Sequence, residues 1–269
     1  MKKFLTLLTV ALVILGFASP SLAGPSRALV QELGSVIGAD EINVDLDWVG
    51  QKLNVLSTGD TTVGGGGATI GSMGLSSVNI GITQALELRL GRLPGFRSDL
   101  TLPAANANNL GLTLKGAGLV PGLGYWIGYG SSSLSNTASA SSSGSSLRVG
   151  AAYTWAGPLI LNLNLGYGQD TAGGVANNTT NLDAAGAALY PLKSNLIVGV
   201  ELLYTSVDIG GGTKIGVMAP ALGARATAGN WTIDAVAALL GTSVSVTGQP
   251  SNASATVIGV PNLRINYKL

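Results

Sequence analysis

The side chains able to do chemistry in this 269-residue chain are few: 13 acidic, 14 basic, no histidine and no cysteine. Asp45 and Asp47 stand two positions apart, the spacing that places two carboxylates on one face of a strand, and paired carboxylates are a residue set for general acid–base work. Such a pair is more often a solvated face. Without histidine the chain also lacks the side chain that titrates near neutrality. Only oxygen ligands remain for a metal, and no EF-hand spacing occurs. The tract GGGGATIG at residues 64–71 has neither the lysine of a phosphate loop nor a following helix. No catalytic residue, metal or cofactor is expected, and the chain does not read as an enzyme.

The charged residues make more sense through the elements that carry them. SVNIGITQALELRLG, Ser77 to Gly91, sets Val78, Ile80, Ile82, Leu86, Leu88 and Leu90 on one side and Asn79, Thr83, Glu87 and Arg89 on the other, the period of a strand with one apolar face. Asn109–Gly118 repeats the pattern around Lys115, Leu123–Gly130 around Trp126, Ser146–Trp155 around Arg148, and Leu196–Ser206 around Glu201. Leu159–Gly168 opposes leucines to Asn162 and Asn164. Alanine-rich segments at Leu182–Tyr190, Lys214–Ala226 and Trp231–Val246 carry Asp183, Lys214 and Asp234, and the final stretch alternates Leu263, Ile265, Tyr267 and Leu269 with Arg264 and Lys268. Asp45 and Asp47 belong to Glu41–Trp48, expected to form a hairpin with a short partner through Leu53 and Val55.

These strands are longer than the 5 to 6 residues typical of globular sheets and match the roughly 9 to 11 needed to cross a bilayer at a tilt. Aromatic residues collect near their ends: Trp48, Tyr129, Tyr167 and Tyr204 toward one side, Tyr153, Trp155, Tyr190, Trp231 and Tyr267 toward the other. Two such belts suit the two headgroup interfaces of a membrane. Connections alternate between short turns, at residues 120–122, 157–158, 191–194 and 229–230, and longer loops at 91–108, 131–145, 169–180, 209–213 and 247–255. Within the second loop, SSSLSNTASASSSGSS reads as a flexible exposed stretch, with adhesion as the role it would serve. About ten strands follow from Ser77 onward, and about twelve with the first hairpin. Ahead of them, Ser26–Ile37 reads as a short amphipathic helix with Ser26 as N-cap and Gly38 as stop.

The N-terminus, MKKFLTLLTVALVILGFASPSLAG, has the basic start, apolar run and small residues of a secretory signal peptide ending at Ala23. Removing Lys2 and Lys3 from the 14 basic residues leaves 12 against 13 acidic ones, so no basic field exists for nucleic acid. Hydropathy is positive overall, yet no later apolar run is long enough for a membrane helix. Backbone groups in hydrocarbon must pair, and a closed sheet is the remaining way to do so.

On this pattern the mature chain resembles the bacterial outer-membrane β-barrel class. Its last strand, with Leu263, Ile265, Tyr267 and Leu269, is similar to the C-terminal signal read by the barrel-assembly machinery, although most members end in an aromatic residue. The resemblance implies an all-β, transmembrane, antiparallel up-and-down barrel of about twelve strands over residues 41–269, a signal peptide over 1–23, and a periplasmic segment with the short helix over 24–40. It implies integration into outer-membrane lipid, with that lipid and the assembly machinery as partners. The phospholipase, lipid A deacylase and omptin types within the class rely on histidine, so their activities do not carry over.

Inside such a barrel the inward Asp45, Asp47, Glu87, Arg89, Lys115, Trp126, Arg148, Asp183, Glu201, Asp234 and Arg264, joined by Glu41, Lys214 and Lys268, read either as paired charges and filler that pack or hydrate the interior or, more sharply, as pore-lining residues that tune which solute passes. The functional expectation is a porin-like passive channel for small hydrophilic solutes, narrowed if the N-terminal helix enters the lumen. The alternative is a structural or adhesive barrel with a filled lumen and working external loops. A transporter of apolar solutes would need an apolar lumen or a lateral opening, which the inward charges and asparagines oppose.

Overall fold

The structure is a computed structural model that describes residues 29, 32–58, 61–64, 69–91, 93–94, 106–135, 141–172, 179–246, 253–259 and 262–269. Among the described residues fourteen strands run in chain order: β1 (Ile42–Thr58), β2 (Thr61–Gly64), β3 (Thr69–Thr83), β4 (Leu86–Gly91), β5 (Asn106–Ala117), β6 (Leu123–Ser135) and β7 (Ser141–Trp155). They continue through β8 (Ile160–Ala172), β9 (Thr179–Lys193), β10 (Leu196–Gly210), β11 (Thr213–Ala228), β12 (Trp231–Val246), β13 (Ala253–Gly259) and β14 (Asn262–Lys268). Every pairing is antiparallel between sequence neighbours until the sheet closes. There β13 and β14 together fill the place between β12 and β1. In the same way β2 and β3 share one place beside β1. The result is a closed barrel of twelve positions, with no free edge among the described residues.

Alternation becomes two opposed surfaces. Along β8, Leu163 and Leu165 are 64% and 66% exposed, while their neighbour Asn162 on the opposite face is 1% exposed. Glu87, Arg89 and Lys115 are buried as completely. A soluble sandwich would bury the leucines; this sheet buries the charges and faces its carbon outward, as a barrel in lipid must. Trp155, Tyr190 and Trp231 stand exposed near the short-turn end, where the rings of Trp231 and Tyr267 lie 4.4 Å apart, and Tyr129, Tyr167 and Tyr204 stand exposed nearer the other end. The side chains of Asp47 and Trp48 fall outside the described residues.

Four expectations need correction. Glu41–Leu56 is not a hairpin: Ile42–Thr58 is one strand, and its partner comes from residues 61–64 and 69–83. Ser77–Gly91, conversely, is not one strand but the β3–β4 hairpin, turning at Gln84–Ala85. A bulge between Gly81 and Thr83 shifts the register so that Ile80 faces Leu88 and Asn79 faces Arg89. Partners therefore share parity, and the apolar period passes through the turn unbroken. Much of the serine-rich stretch is strand: Ser131–Ser135 pairs with Ser141–Ser145 in a β6–β7 extension. The 209–213 connection is a tight turn, with Gly211 and Gly212 at φ 63° and 79°, the positive values that a two-residue hairpin loop favours.

Of the expected helix Ser26–Ile37, Leu29 and residues 32–37 are described. None is helical, and Glu32 makes an isolated bridge. The rest of that segment, and the leader at 1–23, lie outside the described residues.

Candidate functional site

The inner wall is polar with one apolar patch. From β1 through β8 it is polar, because register sets complementary residues side by side: Asp45 opposes Ser77 and Asn266, Asn79 opposes Arg89, Glu87 opposes Lys115, and Thr154 opposes Asn162. Asp45 accepts hydrogen bonds from Ser77 Oγ, Asn79 Nδ2 and Asn266 Nδ2 at 2.8, 2.8 and 2.7 Å, tying β1 to both neighbours. β9 through β12 add an apolar patch, in which Leu189, Leu203, Ala219, Ala221, Val236 and Ala238 form one buried cluster, among the buried polar residues Asn181, Glu201, Thr205, Arg225 and Asp234.

The N-terminal segment lies across this interior. Glu32 is 4% exposed and takes the guanidinium of Arg89 with both oxygens, at 2.5 and 3.0 Å, while Lys115 Nζ reaches Oε2 at 3.1 Å. Glu87 completes a four-residue cluster: its Oε1 meets Arg89 Nη2 at 3.1 Å and its Oε2 accepts the Ile37 N–H at 3.2 Å. Two anions and two cations make the cluster neutral, which is what permits charges to be buried this deeply.

The segment's backbone is satisfied by wall side chains rather than by a strand ladder. The Glu32 carbonyl accepts from Asn162 Nδ2 and Asn164 Nδ2 at 2.9 and 2.7 Å. The Gly34 N–H donates to Thr154 Oγ1 at 2.8 Å, and the Leu29 N–H to Glu201 Oε1 at 2.7 Å. Arg264 Nη1 donates to the Leu29 carbonyl at 3.3 Å. Buried backbone groups must pair, and these side chains serve as their partners. Leu29 and Leu33 meanwhile sink into the apolar cluster of β9–β12. The segment thus meets the polar wall with hydrogen bonds and ion pairs, and the apolar patch with leucines.

Close approach dictates its glycines. A Cβ at Gly34 would overlap the Gly122 carbonyl, and one at Gly81 would overlap the carbonyl of Gly38. From Gly38 the chain turns through Asp40, at φ 60°, whose N–H donates to the Gly81 carbonyl at 3.0 Å, and enters β1. Since Gly34 meets the β5–β6 turn and Gly38 the end of β3, the segment crosses the barrel at its short-turn end. Further along the axis, Leu93 and Pro94 are buried against inward positions Gly111 and Gly128.

The remaining expected pore-lining residues are placed as follows. Trp126 is buried over Gly150, so this ring packs against the wall instead of standing in an open channel. Arg148 pairs with Asp170 at 2.8 and 3.0 Å, and Asp234 with Arg225 at 2.7 and 2.8 Å. Asp183 is half-buried beside Gly166. Lys268 meets Glu41 at 2.6 Å, whereas Lys214 is mostly exposed near Asp208, far along the barrel from the cluster.

Sequence reasoning allows the segment holding Leu29, Glu32 and Leu33 to enter this interior without naming their partners, and does not assign Asp170 or Arg225 to it. One signal was present for Glu32: the inward charges of β4 and β5, Glu87, Arg89 and Lys115, carry a surplus cation that another element must answer.

No protein-family model matches the chain, and neither does any curated protein sequence. The fold is similar to the translocator domain of the autotransporter NalP from Neisseria meningitidis, at 14% identity over 85% of this chain and 88% of that one, with a TM-score of 0.47. It is also similar to OmpT, an outer membrane protein of Vibrio cholerae, at 9% identity over 86% and 98% with a TM-score of 0.41. A FadL homologue of Pseudomonas aeruginosa matches at 11% identity over 93% and 98% with a TM-score of 0.34. The chain itself is a closed, all-antiparallel β-barrel.

Proposed function

We propose that this protein is an integral outer-membrane barrel whose lumen is filled at rest by its own N-terminal segment, and whose long hairpins act at the cell surface. The observation that carries the reading is Glu32, held by Arg89 and Lys115 from the wall while its carbonyl takes Asn162 and Asn164 from another part of it. A segment anchored to opposite parts of a narrow barrel obstructs free diffusion along the axis. The β6–β7 extension projects the paired serine-rich strands beyond the apolar band, as a surface hairpin would be displayed. The leader at residues 1–23 fits export, after which outer-membrane lipid and the assembly machinery are the partners.

A porin-like role for small hydrophilic solutes stands as the second reading, in a gated form. It is favoured by the polar wall, where Asn162, Asn164, Glu87, Arg89 and Lys115 would line a water path once the segment withdrew. Planar-bilayer recording of the full folded chain tests both. The filled-lumen reading expects no sustained current, with Glu32→Lys raising the frequency of openings if the segment gates a channel. A steady ohmic current through the unaltered protein would overturn the filled lumen.

A further inference from the structure

Two oxygens in the inner wall are buried with no hydrogen-bond partner among the described residues, and they flank a carboxylate. Thr205 of β10 lies directly opposite Asp183 of β9, and Asn181 precedes Asp183 by two positions, which puts it on the same inward face. Both Thr205 and Asn181 are 2% exposed, and neither Thr205 Oγ1 nor Asn181 Oδ1 meets a donor. The orientation of the Asn181 amide is fixed: its Nδ2 donates to Asp170 Oδ2 at 2.9 Å, and an ionised carboxylate only accepts. Asp170 lies toward the long-loop end, opposite Thr179, so Oδ1 points away from it and back along β9 toward Asp183.

The wall beside these residues leaves room. Three inward positions of β7 and β8 are glycine: Gly150, Gly166 and Gly168. Trp126 covers the first and Arg148 the third, whereas the nearest atoms to a Cβ at Gly166 would be Asp183 Cβ and Oδ2, at 3.5 and 3.6 Å. Gly166 and Asp183 are both half-buried, so this notch faces the lumen. Asp170 is committed elsewhere, accepting from Ser146, Arg148 and Asn181.

We propose that Asp183, Asn181 and Thr205 hold one singly charged, sodium-sized cation in the lumen wall, on the long-loop side of the N-terminal segment. A carboxylate, an amide oxygen and a hydroxyl are the ligands of a hard cation, and lumen water at the Gly166 notch completes its shell. Buried acceptors without donors are costly. A cation answers all three groups at once, whereas a water molecule has two hydrogens to give. The three side chains carry one negative charge, which one positive charge balances. The site goes beyond the filled-lumen reading and does not depend on it, since it belongs to the wall and not to the segment.

The test is urea unfolding of the full chain in phosphatidylcholine vesicles, with sodium chloride exchanged for N-methylglucamine chloride at constant ionic strength so that screening is unchanged. Sodium should stabilise the barrel, the unfolding constant falling about tenfold for each tenfold rise in sodium once the site is saturated. Thr205→Val and Asp183→Asn should lose this dependence, and Asp208→Asn, which removes an exposed carboxylate, should keep it. Should Asp183→Asn fail to fold, Thr205→Val decides, because it keeps the shape of the side chain and removes only the ligand oxygen. Equal stability in the two salts, as ordered water alone would give, would overturn the site. So would a sodium dependence that persists in folded Thr205→Val, and a response to calcium chloride with none to sodium would overturn the single charge.

Discussion

Glu32 and Arg89 lie 57 positions apart and meet inside the barrel in a two-pronged salt bridge, with both side chains almost fully buried. One partner belongs to a segment with no strand ladder of its own, the other to the shortest complete barrel strand. Their union, with Lys115 and Glu87, is what ties the N-terminal segment to the wall.

Glu32→Gln removes one anion and leaves the cluster with a surplus cation. Breaking one member of a buried ion pair typically costs about 3–5 kcal/mol. Urea unfolding from detergent or lipid should show a loss of that size, and the double variant Glu32→Gln, Lys115→Met should regain part of it by restoring neutrality. An equal or larger loss in the double variant would mean that charge balance is not what holds the segment.

Gly34→Ala puts a methyl group where the Gly122 carbonyl stands. Forcing atoms into a filled interior costs about 1–3 kcal/mol, and the same readout should show it. Gly186→Ala is the control, since the nearest atom there lies at 3.7 Å and the change should stay within about 0.5 kcal/mol.

Leu165→Arg tests which way the sheet faces. At the middle of a lipid-facing surface an arginine costs about 2–4 kcal/mol, whereas on a water-facing surface the same change is close to neutral. Folding titrations into liposomes distinguish these outcomes, and a neutral result would contradict the membrane orientation.

Strand length, face and number were legible in the sequence because the alternation of apolar and polar residues is a local property, written for example in Leu159–Gly168. The count of twelve nevertheless came from two offsetting errors. Leu53 and Val55 read as a second strand yet continue the first, and the Gln84–Ala85 turn is hidden because its bulge preserves parity. Serine runs carry no apolar period, so Ser131–Ser135 and Ser141–Ser145 could be recognised as strand only from their register.

The inward charges are legible for the same local reason, and so is a reading in which they pair to pack the interior, but their particular partners are not. Glu32 finds its partners 57, 83, 130 and 132 positions away, and no local pattern encodes contacts that the closure of a barrel creates. Leu29, Glu32 and Leu33 read as the two faces of a helix because a segment that must match an apolar patch and a charged wall also alternates its chemistry.

Amide hydrogen exchange on the folded full chain in lipid tests the central claim most directly. The N–H groups of Leu29, Gly34 and Ile37, bonded to Glu201, Thr154 and Glu87, should exchange as slowly as those of β4 and β5. Exchange at the rate of an unstructured chain, with the strands still protected, would mean that the lumen is open and the segment lies outside it.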